Sequence, residues 1–161
     1  MSTEIIVVPS LAEFPLIVAL RESALAYASV HTAHLLGVAL MVGCVVAFDL
    51  RILGVNRAIR VDHLAKHLLP LALCALVLIV PTGLAMFAVH SGDLLTSRLF
   101  ILKMSLLMLS SALAIVFHTG PYRSVERWHT DVPAPKLARV VAALSIVVWL
   151  AVLLCASLLR A

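Results

Sequence analysis

Residues 27–54, YASVHTAHLLGVALMVGCVVAFDLRILG, decide the fold. The run is apolar over a length that crosses a bilayer core of ~30 Å, which needs roughly 20 helical residues. It carries two histidines one helical turn apart, His31 and His34, and closes on the charged triplet Asp49-Leu50-Arg51. Histidine inside a membrane helix is uncommon and faces protein or a cofactor rather than lipid. Any chemistry in this chain is therefore expected to start at His34.

The rest of the chain repeats the pattern. Of its 161 residues 63% are hydrophobic and 12% charged, with a mean hydropathy of +1.15. Soluble domains are nearer half apolar and a quarter charged. The apolar excess falls into four blocks, predicting membrane spans at about 24–48, 67–90, 98–118 and 137–159. The fold class expected is all-α, an up-down bundle of four transmembrane helices forming one domain over residues 1–161. Residues 4–22 read as a lead-in that Pro9 and Pro15 break and Arg21-Glu22 ends, with a short interfacial helix expected for Leu11 to Leu20. Glu4 and the lack of a basic leading segment make a cleaved signal peptide unexpected.

The net charge of +4 is a topology signal rather than a nucleic-acid footprint, because the basic residues lie between the apolar blocks. Arg51, Arg57, Arg60 and Lys66 follow the first block; Arg123, Arg127, Lys136 and Arg139 gather around the start of the fourth. The positive-inside rule puts both connections in the cytoplasm and both termini in the periplasm of a bacterial inner membrane. The partners expected are the lipid bilayer, a redox partner or quinone, and a second copy of the chain; nucleic acid is not. The three cysteines sit inside apolar blocks without CxxC spacing and read as small core residues. Pro81-Thr82-Gly83 lies deep in the second block. It predicts a kink whose freed carbonyl is met by a neighbour, a hydroxyl or water.

Helical rise places the polar residues in depth. His34 falls near the midplane and His31 a turn further out. Lys103 enters about a turn inside the outer end of the third block, at a level its long stem shares with the two histidines. His90 lies at the outer boundary. His67 and His118 come to similar depths at the inner boundary, with His63 and His129 flanking. His34 and His118 differ by roughly 15 Å in depth, so they belong to different levels. Haem in helical bundles is held by side chains of facing helices, so haem b is one cofactor this pattern suits. Copper is the other, given Met41, Met86, Met104 and Met108 beside His and Cys. Each residue also has a structural reading. Histidine is cheap at an interface, Lys103 can snorkel, methionine fills cores, and Asp49 with Arg51 can be an ion pair or plain orientation charges. Trp149 in the fourth block reads as packing. A bundle without chemistry, serving as a subunit or anchor, is a further alternative, and an enzyme acting on porphyrin or quinone is another.

His34-Leu35-Leu36-Gly37, Asp49-Leu50-Arg51-Ile52-Leu53-Gly54, Arg98-Leu99-Phe100-Ile101-Leu102-Lys103 and Phe117-His118-Thr119-Gly120-Pro121-Tyr122-Arg123 together resemble a family of small bacterial four-helix membrane proteins of unknown function. The resemblance spans about residues 20–155 and implies no activity. More distantly, a first-span histidine with a nearby arginine and a later lysine is similar to HemJ-type protoporphyrinogen oxidases, CopD membrane domains and di-haem cytochrome b bundles. That similarity implies haem or porphyrin handling by His34 and Lys103. The HemJ pattern closes its first span with a tryptophan and a Leu-Pro-Arg-Leu run. Here Asp49-Leu50-Arg51 stands in that place, so haem binding is implied rather than porphyrinogen oxidation. The resulting expectation is an electron-transfer protein with His34 as axial ligand and Lys103 beside a propionate or an anionic substrate. His31 lies close by, and His118 and His67 would serve a second, inner site. The metal ligands expected are His34 and His118.

Overall fold

The computed structural model describes residues 15–89, 97–128 and 132–159. His90, His129 and residues 11–14 lie outside them. Five α-helices follow in order: α1 Pro15–Glu22, α2 Ala24–Leu53, α3 Val61–Val89, α4 Arg98–Thr119 and α5 Lys136–Leu158, with a 3-10 helix Pro121–Arg127 between the last two. Helices α2 to α5 are each long and apolar enough to cross a membrane. The described structure is all-α, and the chain is a multi-pass membrane protein.

Pro15 opens α1 rather than breaking it, since a first-turn proline gives up no intrahelical hydrogen bond. The helix runs through Arg21-Glu22 to Ser23, whose side chain accepts from the Ala26 backbone N–H (3.3 Å) and starts α2. Ile17 and Leu20 are buried, and α1 packs on both α2 and α3. Arg21 donates from Nη2 to the Val89 carbonyl at 3.1 Å, placing a cation at the carboxyl end of α3, where the helix dipole favours it.

The spans differ from expectation chiefly at one end. Helix α2 continues past Phe48 through Asp49 and Arg51, stopping only at Gly54. Gly54 adopts φ of 112°, and the N–H groups of Gly54 and Val55 return to the carbonyls of Arg51 and Leu50. This is a Schellman closure, and it favours glycine at the left-handed residue. Helix α3 begins at Val61, six residues before the apolar block alone suggests. Asp62 in its first turn is bonded by Arg60 at 2.8 and 3.1 Å, with His63 at 3.9 Å. Polar residues therefore extend the helix beyond its apolar part without ending it. Pro70 and Pro81 both lie inside α3, which stays helical through them.

Helix α2 packs on α3 and α5, and α4 packs on α5. The contact between α3 and α4 is slight by comparison, although Phe87 and Phe100 stack across it with centroids 5.5 Å apart. The bundle is thus closed on three sides and loosely joined on the fourth. Outward faces are apolar: Val77 is 74% exposed and Met108 71%, as a lipid-facing surface requires. Both basic connections fall at one end, called here the basic end. There Ile52, Val61, Phe117, Trp128, Ala138 and Val141 form a buried core, and Trp128 donates from Nε1 to Ser124 at 3.2 Å. A second core at Val148, Trp149 and Val152 lies deeper, packed by Met41, Val42 and Val45.

Candidate functional site

Two polar centres lie within the bundle. The first is built where α2 and α3 approach most closely. A Cβ on Gly37 would come within 2.9 Å of Ile79 Cγ1 and 3.4 Å of the Ala75 carbonyl. A Cβ on Gly83 would come within 3.0 Å of His34 Cε1. Glycine at both positions lets the backbones approach and lets the His34 ring lie flat against α3. His34 Nδ1 is 3.0 Å from Thr82 Oγ1.

The hydrogen bonds of Thr82 bear on the His34 tautomer. Thr82 Oγ1 also lies 2.6 Å from the Leu78 carbonyl and 3.1 Å from that of Ile79. A carbonyl only accepts and a hydroxyl has one proton, so the short contact to Leu78 favours Thr82 donating to the α3 backbone and accepting from His34. In that arrangement His34 carries its proton on Nδ1 and its lone pair on Nε2. Metal-ligating histidines are oriented in the same manner, with the second nitrogen held by a hydrogen bond. Thr82 thus joins the proline segment to the histidine; its hydroxyl lies on the Leu78 and Ile79 carbonyls, whereas the carbonyl that Pro81 deprives of its helical N–H is that of Val77.

The neighbours expected around His34 are placed as follows. His31 is half-buried one turn away and stacks on Tyr27 with centroids 6.2 Å apart. Lys103 is half-buried in the second turn of α4. It stands on a helix whose main packing partner is α5, not α2. Met104 and Met108 are exposed on the outer face of α4.

The second centre is a cavity of about 240 Å³ toward the basic end, bounded by α2, α3, α4 and α5. Met41, Cys44, Phe48 and Asp49 line it from α2, Leu69 and Ala72 from α3, Ser110, Ala114 and His118 from α4, and Ser145 and Trp149 from α5. Most of this lining is apolar, yet two buried polar atoms in it have no hydrogen-bond partner among the described residues, Asp49 Oδ2 and His118 Nε2. Each such orphan costs about 1–3 kcal/mol when no group satisfies it. Asp49 is 8% exposed and takes a hydrogen bond from Ser145. His118 Nδ1 lies 2.8 Å from the Ala114 carbonyl, so its proton is on Nδ1 and its lone pair on Nε2. The His118 ring packs against Phe117 and Tyr122, with centroids 5.4 and 5.3 Å away.

His67 is exposed on α3, and its neighbours Leu68 and Leu69 line the cavity instead. It does not share that cavity with His118. Arg51 is buried and bonds the carbonyls of Arg57 (3.0 Å) and Ile59, tying down the turn after α2. Asp49 and Arg51 thus serve different neighbours. Sequence reasoning passed over Ser145. The available signal was its i, i+4 relation to Trp149, which puts both on the inward face of α5. Cys44, Cys74 and Cys155 are free thiols. Among the described residues no three His, Cys, Asp or Glu side chains converge to hold a metal ion.

Comparison with family models, with curated proteins and with solved structures gives no match for this chain. The class defined here is that of a four-span helical membrane protein, and its function is argued from its own residues.

Proposed function

We propose that the protein is a haem b-binding electron-transfer protein of the bacterial inner membrane, with His34 as an axial ligand. One observation carries this reading: His34 Nδ1 is engaged with Thr82 at 3.0 Å, which makes Nε2 the nitrogen that would ligate. The donor set suits a porphyrin iron, which needs only one or two axial side chains. Lys103 is the proposed cation for a propionate, and His31 lies on the same helix one turn away. The iron would supply reversible one-electron chemistry. The chain would set the depth of the group, hold the ligating ring in one tautomer and exclude water around it.

The basic end is the proposed cytoplasmic end, because both basic connections lie there, and the termini would then face the periplasm. Reduced-minus-oxidised absorption of protein purified in mild detergent, with haem determined on the same sample, tests the function. A Soret band that sharpens on reduction, with an α band and near one haem per chain, is expected. A colourless, iron-free protein from haem-replete cells would overturn the proposal.

A further inference from the structure

We infer that the cavity near the basic end binds the ring of a lipid-soluble diphenol, a hydroquinone-type molecule drawn from the membrane. The inference stands on the cavity alone and needs no haem. Pockets that enclose drug-sized molecules are roughly 300–1,000 Å³. At about 240 Å³ this one is too small for a porphyrin and suits a single substituted ring. Its walls include Trp149, Phe117 and Phe48, which offer flat apolar faces to such a ring.

The polar groups select the chemistry. His118 Nε2 carries a lone pair, because Nδ1 donates to Ala114. Asp49 Oδ2 is the second polar atom facing the space, and Ser145 bonds the same carboxyl group. Both atoms are buried with no hydrogen-bond partner among the described residues, and both residues line this one cavity. A ligand that satisfies both brings a hydrogen-bond donor for His118 Nε2 and a second polar group, such as a hydroxyl that can donate or accept, for Asp49. A ring with two hydroxyl groups meets that requirement, whereas the corresponding quinone or diether, having acceptors only, does not. Entry is from the lipid: α3 and α4 bound the cavity, and of the adjacent helix pairs they are the one with slight packing. Phe87 and Phe100 bridge this seam near its far end.

The test is a titration of the purified full chain in lipid nanodiscs with decyl-hydroquinone, read as quenching of Trp149 fluorescence. Trp149→Phe identifies the responding residue. Saturable quenching is expected, at least tenfold weaker for the dimethyl ether of the same molecule. It is also expected to weaken at least tenfold in His118→Phe and in the cavity-filling Ala72→Leu, each checked for retained helicity. Equal binding of the diphenol and its diether would overturn the inference, showing partition into lipid. So would wild-type binding by both variants, or the absence of saturation, which would leave the cavity to solvent. Because the readout is tryptophan, a negative result here leaves the haem proposal untouched, and a colourless protein does not weaken this one.

Discussion

Replacing Thr82 by valine keeps the shape of the side chain and removes the one oxygen that receives the His34 N–H at 3.0 Å. The Leu78 and Ile79 carbonyls lose a hydroxyl donor but keep their helical N–H partners, so the cost falls on His34. A buried N–H left unmet costs about 1–3 kcal/mol in water-soluble proteins. Hydrogen bonds between membrane helices average about 0.6 and reach about 1.7 kcal/mol. The lower scale applies within α2 and α3, giving roughly a 3- to 18-fold loss in the folding equilibrium at 1.36 kcal/mol per tenfold. Reversible unfolding in mixed micelles, run as a cycle of Thr82→Val, His34→Leu and the double variant, isolates the bond. The expected coupling is about 0.6–1.7 kcal/mol, with Thr82→Ser close to the parent. Coupling below about 0.3 kcal/mol, the level at which independent sites add, would refute the claim that Thr82 holds the ring.

Three further substitutions test the scaffold. Gly37→Leu drives a side chain into Ile79, whose Cγ1 would lie 2.9 Å from the new Cβ; overpacking costs typically about 1–3 kcal/mol, and lowered thermal stability in detergent checks it. Gly54→Ala forces a Cβ onto a residue at φ of 112° and within 3.1 Å of the Arg57 guanidinium. A loss of about 1 kcal/mol or more is expected in the same unfolding assay. Arg51→Met withdraws charge-assisted bonds from the carbonyls of Arg57 and Ile59, each worth about 1.5–3 kcal/mol. Cleavage by added protease within residues 54–60 should become faster, while the helical content is retained.

The spans were legible because a bilayer imposes a length and a composition that apolar blocks report directly. The end of α2 was less so. Asp49 and Arg51 look like boundary charges in sequence, yet both are buried, one meeting Ser145 across the bundle and the other capping a turn. Such roles depend on which helix lies opposite, and hydropathy does not encode that. His34 stood out by its depth, and the Pro81-Thr82-Gly83 segment by its proline. Their meeting depends on the register of α2 against α3, set by Gly37 and Gly83. His67 and His118 share a depth, but a helix turns 100° per residue and equal depth does not imply a shared face. That is how His67 reaches the surface while His118 lines the cavity.

The central claim is that His34 Nε2 ligates a haem iron, and chemical rescue tests it most directly. His34→Gly removes the imidazole and leaves room for a free one in its place. The account predicts that this variant loses the sharp reduced Soret and α bands, and that added imidazole restores them in a saturable manner. Bands that persist unchanged in His34→Gly without imidazole would contradict it.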